Sequence, residues 1–187
     1  MNFLERRRFL WILFLVGIAL VAAIAASGTT LVAMRFEELA KQATVVARLR
    51  CLGTSSVING GEIWTETRFE TVATEKGVVG AMVTLRLPGG RADGLRSHVD
   101  GAPEFAAGEE AYLFLWRGGD GTLRVLGWTQ GTFRIRRDAS GVERVTQDSA
   151  NVAVFDAGAR SFRRDGVQDM LVSEFRRKLS AALTGGR

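Results

Sequence analysis

The residue types that most often carry catalysis are scarce in this chain. Its 187 residues include one histidine, His98, and one cysteine, Cys51. One histidine excludes a multi-histidine metal site, and one cysteine excludes an intrachain disulfide. His98 follows Ser97 in a polar stretch, and adjacent side chains do not face each other as a catalytic triad requires. Cys51 continues the alternating pattern of Val45 and Leu49, so we predict a buried apolar role for it.

Carboxylates are the remaining candidates for chemistry. The glutamates at positions 37–38, the pair Glu109-Glu110, and Asp156 could supply an acid and a base for hydrolysis if the fold brought them together. Neighbouring side chains on a strand point to opposite faces, so Glu109 and Glu110 do not form such a dyad themselves. The loop aspartates lack the Asp-x-Asp spacing of an EF-hand calcium site. We therefore predict no catalytic and no metal-binding residues, and keep a carboxylate-based hydrolase as a distant alternative.

The string GGDGT at residues 118–122 is also found in lipid and NAD kinases. In those loops the glycines let backbone amides approach phosphates, and the loop opens a helix. Here the string joins two strand-like segments, FLW and LRVLGW. We therefore predict a hairpin turn at this position and no cofactor.

One tryptophan and three arginines form the predicted partner-binding surface. Arg134 and Arg136 alternate with apolar residues, a pattern typical of the wet face of a strand, and Arg137 follows directly. Trp64 is predicted on the outer side of its own strand. Together these side chains could form a groove for a protein or a glycan. The alternative is that Trp64 packs in the core or under a helix and that the arginines form an ordinary solvated face.

The N-terminus has the pattern of an export segment. Three arginines at positions 6–8 precede an uncharged run at residues 9–26, and an Ala-x-Ala cleavage pattern occupies residues 23–25. The length of this run lies between the roughly 7–15 residues of a signal-peptide core and the roughly 20 of a spanning helix. Residues 1–28 are therefore predicted as a cleaved signal peptide or as an uncleaved hydrophobic anchor helix. In both cases the arginines stay in the cytoplasm and the remaining chain crosses the membrane.

Composition and turn signals favour an all-β body. Apolar residues make up 47% and charged residues 24% of the chain, which excludes a disordered or polytopic membrane protein. The 22 glycines against 2 prolines indicate many tight turns. Strands that follow one another without intervening helices imply an antiparallel meander or Greek key. The predicted strands span residues 44–52, 62–74, 81–87, 110–116, 122–128, 131–137, 142–145 and 151–155, with an earlier edge strand at 30–34.

Two helices frame these strands in the predicted fold. A short helix covers residues 35–43, and an amphipathic helix runs from an N-cap at Asp165 to about Leu183. The fold class is thus mainly β: a small, closed or partly closed antiparallel barrel of the OB type, which hides the strand edges and the apolar stripe of the second helix. We divide the chain into the leader 1–28, a barrel domain 29–162, and a C-terminal amphipathic helix, 163–187, packed on the barrel.

Five segments occur in a recognisable order: TTLVAMRFEELAKQATVVARLRCLG, IWTETRFETVATEKG, VTLRLPGG, PEFAAGEEAYLFL and VLGWTQGTFRI. In this order they resemble a group of exported bacterial proteins of unknown function. That group is similar to the netrin-like module of tissue inhibitors of metalloproteinases, so the resemblance implies an OB-type barrel and a binding role. The animal inhibitors chelate the protease metal through an N-terminal cysteine and hold their barrel with disulfides. A chain with Cys51 as its one cysteine has neither device.

These patterns predict an exported, non-catalytic binding module of the cell envelope. Its partner would be an envelope protein, and the resemblance points to a protease. Export makes nucleic acid a poor partner, and the sequence shows no site for a small-molecule substrate. The alternative is a membrane-anchored structural or assembly protein of the envelope. The body is expected outside the cytoplasm, either periplasmic or secreted after cleavage, or anchored to the inner membrane.

Overall fold

The structure, a computed structural model, describes residues 32–151, 153–164 and 166–185. The predicted leader, residues 1–28, and the predicted cap Asp165 lie outside them. Helix α1 spans Phe36–Gln42 and helix α2 spans Val172–Thr184. The strands are β1 (Val45–Asn59), β2 (Glu62–Lys76), β3 (Met82–Pro88), β4 (Gly90–Ala92), β5 (Leu95–Ser97), β6 (Glu110–Arg117), β7 (Leu123–Val125), β8 (Thr132–Arg137), β9 (Glu143–Gln147), β10 (Val154–Asp156), β11 (Ser161–Arg163) and β12 (Met170–Leu171).

Eight of these strands form one antiparallel sheet. Its order is β12-β9-β8-β6-β1-β2-β3, and β7 also pairs with β6. The hairpins β4–β5 and β10–β11 stand apart as two-stranded sheets. The prediction of a mainly antiparallel β domain with a short N-terminal and a longer C-terminal helix is confirmed. Of the closed or partly closed barrel that was predicted, the closed form is not observed, because the ladders of the described strands form an open sheet.

Strands β1 and β6 lie in the middle of the sheet, and residues 45–51 of β1 and 111–115 of β6 are largely buried on both faces. The first hydrophobic cluster lies on one face and draws on five strands. Edge strand β3 contacts β7, although the two strands share no ladder among the described residues. The sheet is therefore curled around this cluster. Its buried members are Val45, Ala47, Leu49, Cys51, Phe69, Val83, Leu85, Leu87, Ala111, Leu113, Leu115 and Val125.

The second hydrophobic cluster lies on the opposite face, under the two helices. Helix α1 contacts α2, and both pack on the strands. Phe36 at the start of α1 makes edge-to-face contacts at 5.7 Å with Phe114, Phe133 and Phe175, so one side chain joins both helices to β6 and β8. Such aromatic pairs add to the stabilisation that burial alone provides. No helix in the described part of the chain combines the length and the apolar character that a membrane span requires.

The prediction for the start of the C-terminal helix is wrong. It was placed after Asp165, whereas α2 begins at Val172. The backbone of Val167 is bound by Gln147 of β9, whose N–H donates to the Val167 carbonyl and whose side-chain oxygen accepts from the Val167 N–H. Met170 pairs with β9 as part of β12. The apolar residues of this segment therefore complete the sheet edge, although their spacing is also compatible with a helix.

Two loops differ in how well their turns were predicted. The GGDGT string is the predicted hairpin turn between β6 and β7, where Asp120 accepts hydrogen bonds from the backbone and hydroxyl of Thr122. The stretch 89–104 was predicted as one surface loop, yet it contains the hairpin β4–β5. Three-residue strands are too short to show the alternation on which strand prediction depends.

Gly77 shows how closely the sheet approaches the end of α1. Its φ is +75°, and a Cβ at this position would lie 2.2 Å from the backbone oxygen of Thr44. Neither the conformation nor the distance suits another residue. Gly141 has a similar φ of +84° in the β8–β9 turn, but a Cβ there would meet nothing within 4 Å.

We expect Gly77→Ala to lower the free energy of unfolding by about 3 kcal/mol and Gly141→Ala by about 1 kcal/mol, measured by chemical denaturation. Both variants carry the cost of a positive φ, and only the first adds the overlap with Thr44. Equal losses in the two variants would show that the close approach contributes nothing.

Candidate functional site

Trp64 and Arg134 do not lie in a common groove. Arg134 pairs with Ala111, which pairs with Leu49, which in turn pairs with Thr71 of β2. Trp64 lies seven residues farther along β2, which corresponds to about 20 Å along the strand. Trp64 does lie on the outer face, as predicted, opposite the buried positions of β2. The Arg86 guanidinium lies 4.8 Å from its ring centroid.

Almost all of the donor groups of Arg134 form hydrogen bonds within the protein. Its guanidinium holds Asp148 with two hydrogen bonds of 2.7 and 2.9 Å, donates to Glu109 at 2.6 Å, and donates to the Glu104 carbonyl at 2.6 Å. Its side chain is 20% exposed. Burial alone would lower the pKa of Arg134, but the hydrogen bonds and charges of Asp148 and Glu109 raise it overall. Arg134 is therefore not the free wet-face cation that the alternation indicated.

Arg137 belongs to a row of ion pairs across five strands, which we call the arginine–carboxylate ladder. The row lies beyond the second cluster on the same face of the sheet. Its members are Glu143, Arg137, Glu110, Arg48, Arg50 and Glu70. The hydrogen bonds from Arg48 and Arg137 to Glu143 lower the pKa of that carboxyl to about 2. Arg136 is exposed and forms none of these pairs. Partner binding by Trp64, Arg134, Arg136 and Arg137 stays a prediction.

The remaining sequence candidates are dispersed. Glu109 contacts Arg134 on one face of the sheet and Glu110 contacts Arg48 on the other, as their adjacent positions require. His98 is 58% exposed and lies 3.2 Å from the Glu104 carboxylate. Cys51 is buried in the first cluster, where burial raises the pKa of its thiol. The described residues hold no group of three or more histidine, cysteine or acidic side chains that could bind a metal ion.

A polar cleft of about 350 Å³ lies at the end of the first cluster, where sequence reasoning placed no site. Strands β1 and β2 continue past the apolar cluster, and their inward positions change to hydroxyl side chains. Two cross-strand pairs, Thr54 with Thr67 and Ser56 with Thr65, form the floor of the cleft. One wall is residues 87–91 at the β3–β4 turn, and the other is residues 103–105 before β6.

The hydroxyl groups of the floor differ in whether they have hydrogen-bond partners. The hydroxyls of Ser56 and Thr65 lie 2.8 Å apart, and Thr65 donates to the Gly89 carbonyl at 2.6 Å. Thr67 is 0% exposed, and its hydroxyl has no hydrogen-bond partner in the described protein. A buried hydroxyl without a partner costs about 1–3 kcal/mol.

Gly90 allows the first wall to approach the floor. Its φ is +127°, and a Cβ there would lie 2.2 Å from the Thr65 hydroxyl and 2.5 Å from the Ser56 hydroxyl. Sequence analysis identified Pro88-Gly89-Gly90 only as a turn. The signal that could have revealed the cleft is the change from apolar to hydroxyl residues on one face of two paired strands.

Arg134 also supports the second wall. Besides binding the Glu104 carbonyl, its guanidinium lies 4.9 Å from the centroid of the Phe105 ring. Phe105 in turn contacts Phe69 of the first cluster edge-to-face at 5.1 Å. A predicted site residue thus contacts the cleft from behind, where it positions the wall.

We expect Thr67→Val to raise the free energy of unfolding by about 1 kcal/mol, because valine has a similar shape and leaves no unpaired hydroxyl. The matched control is Thr132→Val. Thr132 is also 0% exposed, but its hydroxyl donates to the Trp128 carbonyl at 3.0 Å, so this change should cost about 1 kcal/mol. Denaturant titration of both variants measures the difference. A loss of stability in Thr67→Val would mean that its hydroxyl has a partner within the fold.

The arginine–carboxylate ladder predicts a loss of stability in acid. Since the folded-state pKa of Glu143 is about 2, below its ordinary value of 4.5, its contribution is complete above about pH 5 and is lost as the pH falls towards 2. After allowance for solvent screening this contribution is on the order of 1–2 kcal/mol. Glu143→Gln should therefore flatten the pH dependence of unfolding between pH 5 and pH 2.

The control for this measurement is Glu66→Gln, an exposed glutamate of β2 outside the ladder. Its unfolding profile should follow that of the unmodified protein. An unchanged acid profile in Glu143→Gln would contradict the role given to this carboxylate.

Comparisons of the chain with protein-family models, with curated proteins and with solved structures return no match. The resemblance to the netrin-like module therefore stays a prediction. Function has to be inferred from the geometry of the cleft.

Proposed function

We propose that the chain is an exported, non-catalytic binding module of the cell envelope, whose ligand occupies the hydroxyl-lined cleft. The observation that carries the proposal is the cleft itself, a polar recess of about 350 Å³ between residues 87–91 and residues 103–105. Concave sites that combine apolar side chains with a few polar groups are the usual places where proteins bind small ligands.

A binding role suits the cleft better than a catalytic one. Nucleophilic catalysis by a hydroxyl needs an adjacent base, and the floor hydroxyls contact one another and the Gly89 carbonyl. The one carboxylate among the described lining residues is Glu104, which lies beside His98 at the rim. The other glutamates named as hydrolase candidates near this end, Glu109 and Glu110, are bound by arginines.

The curled part of the sheet supports a proposal for the finer fold. Strands β1, β2, β3, β7 and β6 surround the first cluster, and β3 contacts β7. We take these five strands as a partly open barrel of the OB type, in line with the netrin-like resemblance.

The proposal of export depends on the leader sequence, in which three arginines are followed by the uncharged run 9–26. Whether the leader is cleaved decides between a periplasmic or secreted domain and one anchored to the inner membrane.

A photo-crosslinking residue placed in the cleft tests this function in intact cells. The full chain is expressed in its host with the crosslinker at Thr54, which is exposed at the cleft, or at the neighbouring Ser55, which is exposed but does not line it. We expect an envelope adduct at position 54 with a yield at least about tenfold above that at position 55.

Equal labelling at positions 54 and 55 would show that the cleft binds nothing specifically. Recovery of the full chain from the cytosolic fraction would contradict export. A protein adduct, including a protease, would identify the partner expected from the resemblance.

A further inference from the structure

The hairpin β10–β11 carries a row of apolar side chains beside the first described residues of the chain. Phe155 of β10 and Phe162 of β11 are directly paired, and their ring centroids lie 5.3 Å apart. Val32 pairs with Phe155 from the other side, where the N–H of Ala33 donates to the Phe155 carbonyl at 2.8 Å. Phe162 is 63% exposed and Val32 is 56% exposed. We call Val32, Phe155 and Phe162 the apolar row; contiguous exposed groups of this kind mark a surface that binds a partner or a membrane.

Arginines accompany the apolar row. Residues 153–164 contain three arginines and one aspartate, so this stretch of sequence has a net charge of +2 (3 − 1). The side chains of Arg160 and Arg164 are exposed, and neither forms an ion pair with a residue that the structure describes. The aspartate, Asp156, accepts hydrogen bonds from two backbone N–H groups of the hairpin turn. Two exposed cations are therefore available to an anion outside the chain.

The position of the hairpin along the chain indicates which anion these cations meet. Val32 follows the predicted leader, residues 1–28, by four residues, and four residues span at most about 14 Å when fully extended. The polar headgroup layer on each side of a bilayer is itself about 5–8 Å thick. A leader that is retained as an anchor would therefore keep the segment that pairs with β10 within reach of the membrane surface.

We propose that the hairpin β10–β11 binds the surface of an anionic bilayer, with the apolar row in the interfacial layer and Arg160 and Arg164 on lipid phosphates. This inference depends on the export part of the proposed function and does not involve the cleft. Apolar side chains next to basic ones suit a membrane surface, because burial of the former and attraction of the latter to anionic headgroups both favour binding.

A protein is the competing occupant of this surface. It would also cover the apolar row, but it would have to be recruited from solution. The leader already brings this end of the chain to the bilayer, and lipid phosphates supply the anions that the unpaired arginines lack. Connectivity and charge therefore favour the bilayer.

Photo-crosslinking to lipid tests this inference with the full chain. A benzophenone amino acid replaces Phe162, and the protein is reconstituted into vesicles of phosphatidylcholine mixed with phosphatidylglycerol, or of phosphatidylcholine alone. The matched control carries the same amino acid at Leu95, which is 61% exposed on the hairpin β4–β5 next to Arg96. Mass spectrometry identifies and quantifies the adducts.

We expect a phospholipid adduct at position 162 in the mixed vesicles, with a yield at least about fivefold above that at position 95. The combined changes Arg160→Gln and Arg164→Gln should lower the yield at position 162 about tenfold, because each basic residue near an anionic surface strengthens binding. Vesicles of phosphatidylcholine alone should give a similarly low yield. The control Arg96→Gln removes an exposed arginine of the other hairpin and should leave the yield at position 162 unchanged.

Two results in vesicles would overturn the proposal: lipid labelling at position 162 that does not exceed labelling at position 95, or a yield that depends neither on phosphatidylglycerol nor on the two arginines. In intact cells, an adduct from position 162 with a protein in place of lipid, including a second copy of this chain, would also overturn it and assign the apolar row to a protein interface. Crosslinking from Thr54 reports on the cleft alone, so failure of this inference and failure of the proposed binding function are distinguishable.

Discussion

Residues 45–51 of β1 and 111–115 of β6 have to be kept from water on both faces of the sheet, and the rest of the fold follows from this constraint. On one face Ala47 and Leu113 are covered because the sheet curls until β3 contacts β7. On the other face Val46 and Phe114 are covered by the two helices. A flat sheet with helices on one side would leave half of these side chains in water, at a cost of about 25 cal/mol for each Å² exposed.

The cleft arises because β1 is longer than its neighbour. The ladder between β1 and β6 ends at Arg50, whereas β1 continues to Asn59 with β2 as its partner. Past the Cys51–Phe69 pair, the two inward pairs that line the cleft carry hydroxyls in place of apolar side chains. The Arg134 guanidinium contacts Phe105 of the second wall and is bound to Asp148, which follows β9. The apolar core and the polar cleft are thus parts of one curled surface.

The sequence was informative where a pattern is local. Alternation located the central strands, and the continuous apolar run ending at Trp116 identified β6 as a strand covered on both faces. The start of α2 was misplaced because Val167 and Met170 have helical spacing while their partners lie on β9. Alternation also placed Arg134 on a wet face, since it contains no information about Asp148. The cleft was missed because its residues come from three separate segments that meet only in the folded chain.

Gly90 limits how this domain can diversify. Any side chain at that position would collide with the hydroxyls of Ser56 and Thr65, so the first wall offers no room for variation without loss of the floor. The wall at residues 103–105 is not constrained by a glycine in this way. Evolution of a new specificity would therefore proceed through substitutions in that second segment, with the β1–β2 floor inherited unchanged.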